Sequence, residues 1–243
     1  YCTDKGIEVV DRNGARQIFI DSYPFATEEI QISPISVMPD SKGALWIADL
    51  NYGAIRYFNG TFERYQLSGP SDNSIFSLTF ADDKLWVTNG GRDQVWANLY
   101  RKPIVQGYNG ESWEVYNRLN IPEFGSADIF DPVCVLPFPN EPDHFYVSLW
   151  GEGIVEIKSG KVINHFKESN SSLESFTPGK PYIRVGGMAF DKDGNLWANN
   201  SLVENKVSRM NLAGEWKSFY IPELSGSYNM GKMLVSKDNM LWM

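Results

Sequence analysis

An aromatic residue returns five times at the second position of a short strand-like run: "LWIAD" (45–49), "LWVTN" (85–89), "FYVSL" (145–149), "LWANN" (196–200) and "LWM" (241–243). The residues are Trp46, Trp86, Tyr146, Trp197 and Trp242, separated by 40, 60, 51 and 45 positions. Each run is preceded by a polar turn ("DSKGA", "ADDK", "NEPDH", "DKDGN", "SKDNM"). Each turn follows a short apolar strand ("ISVMP", "FSLTF", "VCVLPF", "GGMAF", "KMLVS"). Two further alternating strands come after, around N-G, S-G or A-G turns, as in "GAIRYFNGTFERYQL", "GIVEIKSGKVINHF" and "KVSRMNLAGEWKSFY". Four antiparallel strands every ~40–50 residues describe a β-propeller. The predicted fold is therefore all-β, with four-stranded antiparallel blades. It is read as one propeller domain, or a fragment of one, holding five repeat lengths at about 1–45, 46–85, 86–145, 146–196 and 197–243.

In such a repeat the recurring aromatic has a structural cause, a flat side chain packed between neighbouring blades. That role is expected of all five aromatics. The same alignment decides how to read Asp191–Asn195, "DKDGN", which alone resembles the opening of a calcium loop. Four other turns keep its polarity but not its ligand spacing, and the twelfth loop position is Leu202 where a calcium loop needs Glu. It reads as a hairpin turn.

Composition agrees with many short strands: aromatics make up 14% of 243 residues, beside 21 Gly and 13 Pro. With 22 basic and 30 acidic residues the net charge is −8, which argues against nucleic acid as a main partner. No apolar run approaches the ~18 residues of a membrane span. Tyr1-Cys2-Thr3-Asp4 and Leu241-Trp242-Met243 read as cut ends. Cys2 and Cys134 form no metal or disulfide framework and read as buried thiols.

The short polar turns belong to one face of the repeats and the long loops to the other. The long ones are 89–107, 118–131, 168–181, 199–206 and 221–229. Long insertions on one face of a repeat protein mark its binding side. The 89–107 loop carries Arg92, Arg101 and Lys102 beside Trp96 and Tyr100, suited to stacking on a sugar or holding an anion. The same residues can instead cover the blade beneath, charges outward. Trp150 in "SLWGEG" is the other candidate exposed aromatic.

Catalytic signals are absent. His144 lies at the short-turn face and His165 on a predicted outer strand, neither with a nucleophile at recognisable spacing. No cofactor or metal site is expected, and the chain reads as non-enzymatic. Of the sequons at Asn59 and Asn170, the first lies in a turn that needs Asn-Gly for backbone reasons.

The pattern "D-x-x-G-x-L-W" followed by "G-x-x-x-[YF]-x-N-G" resembles the two-component-regulator propeller repeat of Bacteroidetes. The stretches at 68–91, 140–175 and 182–201 resemble the N-terminal propeller of PorZ-type proteins of the type IX secretion system. That resemblance implies an exported protein at the outer-membrane surface, with two seven-bladed propellers and a C-terminal sorting domain. The five repeat lengths here would be part of one ring. It also implies work beside the sortase-like PorU with PorV and PorQ, and contact with anionic lipopolysaccharide during cargo attachment. Two alternatives stay open. The same repeats build periplasmic glycan-sensing domains of hybrid two-component systems. Residues 193–219 are similar to blades of streptogramin lyase, a propeller enzyme whose His and acid lie on the loop face.

Overall fold

The computed structural model describes residues 1–3, 6–26, 31–65, 69–177 and 179–243, so Pro178 of the 168–181 loop lies outside the described residues. The chain divides into two compact units, Tyr1–Ser68 and Gly69–Met243.

The first unit holds two antiparallel sheets. β1 (Cys2–Thr3), β2 (Gly6–Val10) and β3 (Arg16–Ile20) form one, and β4 (Pro34–Pro39), β5 (Leu45–Asp49), β6 (Gly53–Phe58) and β7 (Thr61–Tyr65) the other. In the second unit β8 (Ser77–Ala81), β9 (Lys84–Thr88), β10 (Val105–Tyr108) and β11 (Trp113–Tyr116) make a four-stranded antiparallel sheet. Two more follow the same order: β12 (Pro132–Pro137), β13 (His144–Gly151), β14 (Gly153–Lys158), β15 (Lys161–Phe166), then β16 (Ile183–Phe190), β17 (Leu196–Asn200), β18 (Val207–Met210), β19 (Trp216–Phe219). A two-stranded ladder of β20 (Leu234–Val235) and β21 (Leu241–Trp242) comes last. Within each group of strands sequential neighbours pair, as the alternating strands and two-residue turns predict, and β13 also pairs β16, which joins the groups β12–β15 and β16–β19 into one sheet.

The turns explain the recurring Asp-x-x-Gly. Asp40 Oδ1 accepts the N–H groups of Lys42 (2.8 Å) and Ala44 (2.9 Å), and its Oδ2 accepts Trp46 Nε1–H at 3.2 Å. Asp191 repeats the arrangement with Asp193 (3.0 Å), Asn195 (2.8 Å) and Trp197 Nε1–H (2.7 Å). One carboxylate thus closes the turn and orients the aromatic six residues on, which is why the two travel together in sequence. The N–H of Ala44 above all holds the Asp40 carboxyl below its ordinary range. Partial burial opposes ionisation at Asp191, yet the Trp197 and Asn195 bonds still lower it. With its oxygens engaged by the turn itself, "DKDGN" is a turn. At Asn59-Gly60, φ values of 48° and 82° give the left-handed pair that Asn-Gly accommodates.

Within each unit, apolar cores fill the spaces between neighbouring sheets. Trp86 is buried among Val105, Ile121, Phe124, Phe145 and Val147, and Tyr146 among Ile154, Phe166, Ile183 and Leu196. Trp46 and Trp197 are half-buried. Trp242, expected to pack in the same way, is 56% exposed. The aromatic position is shared, but its burial depends on a sheet packing against it, and Trp242 stands on a two-stranded ladder. Cys2 and Cys134, expected as buried thiols, are free and half-buried.

Candidate binding site on the loop face

The second-to-third strand connections and the sheet-to-sheet connections emerge at the same strand ends, and one of the former dominates. Between β9 and β10 the chain runs through Asn89–Ile104 without regular structure, held instead by one buried carboxylate. Asp131 is fully shielded from solvent. Its Oδ2 accepts Asn98 Nδ2–H (3.1 Å), Leu99 N–H (3.0 Å) and Tyr100 N–H (2.9 Å), and its Oδ1 accepts Arg101 N–H (2.9 Å). That hub lets Trp96 and Tyr100 sit at left-handed φ values of 64° and 55°, a conformation that costs a non-glycine residue unless its surroundings impose it. The loop is therefore pre-formed, with its entropy cost already met by folding.

Beneath it lies Trp150, predicted as an exposed candidate and found completely buried. The loop is what buries it. Trp150 Nε1–H donates to the Trp96 carbonyl at 2.9 Å, and Asn98 Nδ2 donates to the Trp150 carbonyl. Close approach is possible because Gly151 (φ 142°) and Gly91 (φ 134°) have no side chains. A Cβ on Gly91 would stand 2.4 Å from the Phe76 ring.

Of the predicted cluster, the structure joins Arg92, Trp96 and Trp150. The Arg92 guanidinium lies 3.2 Å from the Trp96 ring centroid and 5.2 Å from that of Trp150. Tyr100 stands apart, 69% exposed, its ring 5.2 Å from Phe130. Arg101 donates to the Asn89 carbonyl (3.0 Å) and Lys102 to the Ser126 carbonyl (2.5 Å), so both brace loop backbones at the rim. A second arginine, missed from sequence, takes their place. Arg184 pairs in register with Trp150 where β13 and β16 join two sheets, and its guanidinium lies 5.1 Å from the Trp150 ring centroid. Its Nη2–H donates to Tyr182 Oη at 2.9 Å, and Tyr182 in turn donates to Asn98 Oδ1. The available signal was the alternation Tyr182-Ile183-Arg184, which sends two polar side chains to one side of a strand entering from a long loop. Burial, and then the charge of Arg184, hold the Arg92 guanidinium below its ordinary pKa.

A charged cluster borders this site. Lys167 Nζ bridges Glu152 (2.8 Å) and Asp128 (3.1 Å), and His165 Nε2–H donates to the Glu152 carbonyl at 2.7 Å. His165, predicted on an outer strand away from the loop face, is indeed on β15 but at its loop-face end. His144, at the opposite end, is buried between Glu141 (2.9 Å) and Glu156 (2.7 Å). The Ser126 hydroxyl first, then Lys167, draw Asp128 down to about 2. Among the described residues no group of three or more His, Cys, Asp or Glu is placed to hold a metal ion.

Burial lowers the His165 pKa from its ordinary 6.5. A folded pKa below the unfolded one means stability that is full above pH 6.5 and declines as pH falls through the lower value. Thermal melts from pH 8 to pH 5 are expected to show that decline, and a His165→Gln variant to lack this component. Parallel profiles for both proteins would contradict the assignment.

No family model and no curated protein matches the chain. Among solved structures it is similar over 99% of its length to PorZ of Porphyromonas gingivalis, with a TM-score of 0.64 and 23% identity. The fold is that of a β-propeller. The likeness at this identity is one of fold, and the chain spans 32% of the length of that PorZ chain. A virginiamycin B lyase from Staphylococcus aureus matches 87% of this chain and 62% of its own, at 19% identity and a TM-score of 0.46. The extracellular domain of a putative one component system from B. thetaiotaomicron matches 87% of this chain and 28% of its own, at 18% identity and a TM-score of 0.45.

Proposed function

We propose that this chain is a non-catalytic binding module exposed at a bacterial surface, whose loop face contacts surface polysaccharide or anionic lipopolysaccharide. The observation that carries this reading is the pre-formed Asn89–Ile104 loop, clamped by Asp131 and carrying Arg92 against Trp96 and Trp150. Rigid aromatics beside a guanidinium recognise sugars and anions with little ordering cost. The likeness to PorZ, an essential surface component of a type IX secretion system, supports a place in a cargo-attachment complex beside a PorU-like sortase. On this reading the 243 residues are one propeller domain or a part of a seven-bladed ring, exported to the outer-membrane surface. Among the described residues no helix is long and apolar enough to cross a membrane.

The test is a titration of the chain with lipopolysaccharide purified from a bacterium that uses type IX secretion, with and without chelator. Saturable binding, indifferent to chelator and weakened at least about tenfold by Arg92→Ala or Trp96→Ala, is the expected result, since one charge-assisted or stacking contact contributes about 1.4 kcal/mol or more. Binding unchanged in both variants would move the interaction off this loop. Absence of binding would remove polysaccharide as the ligand and leave protein docking.

A further inference from the structure

Two guanidinium groups share one buried indole. Arg92 and Arg184 lie 5.2 and 5.1 Å from the Trp150 ring centroid, and both side chains are half-buried. Like charges in a partly desolvated setting repel, so folding alone gives no reason to collect them. A single half-buried arginine can be held by rings alone, as Arg209 is over Trp197 and Phe219, so the feature that asks for an explanation is two such charges over the same ring. Among the described residues the ion pairs fall on Arg16, Arg56, Lys84, His144, Lys158, His165 and Lys167, and neither Arg92 nor Arg184 has one. Arg184 uses Nη2 on Tyr182 and Asn98, while its Nε–H is shielded without any acceptor. Among the described residues the Arg92 guanidinium meets the ring faces of Phe76, Trp96 and Trp150 and no carboxylate within ion-pair distance.

Among the described residues no carboxylate makes an ion pair with either arginine, and Asp131, whose oxygens take four N–H donors of the loop, fixes the geometry around them. Arg101 and Lys102 are likewise committed to backbone carbonyls. What remains is a pair of planar, permanently charged forks over one buried ring, framed by Trp96, Tyr182 and Phe176. Such forks match the oxygen geometry of carboxylate and phosphate, and the ring faces beside them accept the apolar face of a sugar.

We infer that Arg92 and Arg184 together form an anion subsite, one that takes the carboxylate or phosphate group of an acidic sugar. The inference deepens the polysaccharide reading and rests on it for the sugar, while the anion subsite itself stands on the unpaired arginines. The acid group bridges the two guanidiniums, with its sugar ring directed outward. A neutral sugar leaves both charges uncompensated and binds weakly or not at all.

Intrinsic tryptophan fluorescence of the chain reads the site, because Trp96 and Trp150 both touch the arginines. At constant ionic strength, glucuronate and glucose 1-phosphate are expected to give saturable changes and glucose none. The tighter of the two acids names the acid group. Arg92→Gln and Arg184→Gln are each expected to weaken acid binding at least tenfold, with Arg→Lys at either position intermediate. Arg12→Gln and Lys161→Gln, at exposed positions outside the loop, should bind as the parent does. Because Arg184→Gln also alters a residue at the join of β13 and β16, the unaltered protein supplies a second readout. Phenylglyoxal modification, mapped by mass spectrometry, should be slowed by glucuronate at Arg92 and Arg184 and unaffected at Arg12 and Arg118. Equal binding of glucose, full binding in both Gln variants, or no protection of the two arginines overturns the inference. Acid-sugar binding without binding of the whole polysaccharide would support the subsite and sink the function proposed above. Polysaccharide binding indifferent to both Gln variants would do the reverse.

Discussion

Trp86→Ala is expected to destabilise the second unit by about 3–5 kcal/mol, the range for removing a fully buried large aromatic. Trp86 is 2% exposed, its ring stacked 5.9 Å from Tyr116, 5.2 Å from Phe145 and beneath Lys84 Nζ at 4.8 Å. Its removal opens a cavity between two sheets whose backbones are tied into their own ladders and cannot collapse into it. Urea unfolding followed by far-UV circular dichroism checks this as a lowered midpoint at unchanged slope. The same change at the half-buried Trp197 is expected to cost clearly less. Equal costs at the two positions would refute the view that burial, and not the repeat position as such, determines what the aromatic contributes.

The second large effect belongs to Asp131. Asp131→Ala removes the acceptor of four donors at once, at about 1–3 kcal/mol for each one left unsatisfied. The loop can instead open toward water, so the loss is expected as local unfolding more than as a global one. Amide exchange at Leu99, Tyr100 and Arg101 should accelerate by about 100-fold or more, equivalent to about 2.8 kcal/mol. Core amides of β13 and β14 should change far less. Asp131→Asn keeps a side chain that tolerates the φ of 52° and one acceptor oxygen, so it separates backbone strain from hydrogen bonding. Both variants should weaken ligand binding at the loop face even though Asp131 touches no ligand. Unchanged exchange at 99–101 would mean that the loop is held by its aromatics alone.

Much of the strand order was legible because its causes are local. "DSKGALW" and "DKDGNLW" write out their own geometry, since the Asp that closes the turn also receives the indole N–H six residues later. "YFNGTF" declares a left-handed turn in the same way. The site was legible only in part. Arg92 and Trp96 stand in one loop with an obvious mix of charge and ring, and the long connection between β9 and β10 drew attention to them. Arg184 lies 86 residues from Asn98, with which it shares a hydrogen bond, and no local pattern marks that pairing. Trp150 illustrates the limit most clearly. Beside a glycine-rich strand end it reads as exposed, yet a loop 54 residues earlier accepts its indole N–H and covers it.

The sequence by itself determined the period, the strand order, the turn chemistry and the face on which the long loops emerge. Each of these follows from residues within a few positions of one another, where backbone sterics and short-range hydrogen bonds dominate. Only the tertiary structure decided which repeat aromatics are buried, which cations are already spent on backbone carbonyls, and which two arginines stand unpaired over a common ring. Those outcomes depend on which distant segments come to share a boundary, and desolvation there, unlike turn geometry, is a property of the packed neighbours and not of the local chain.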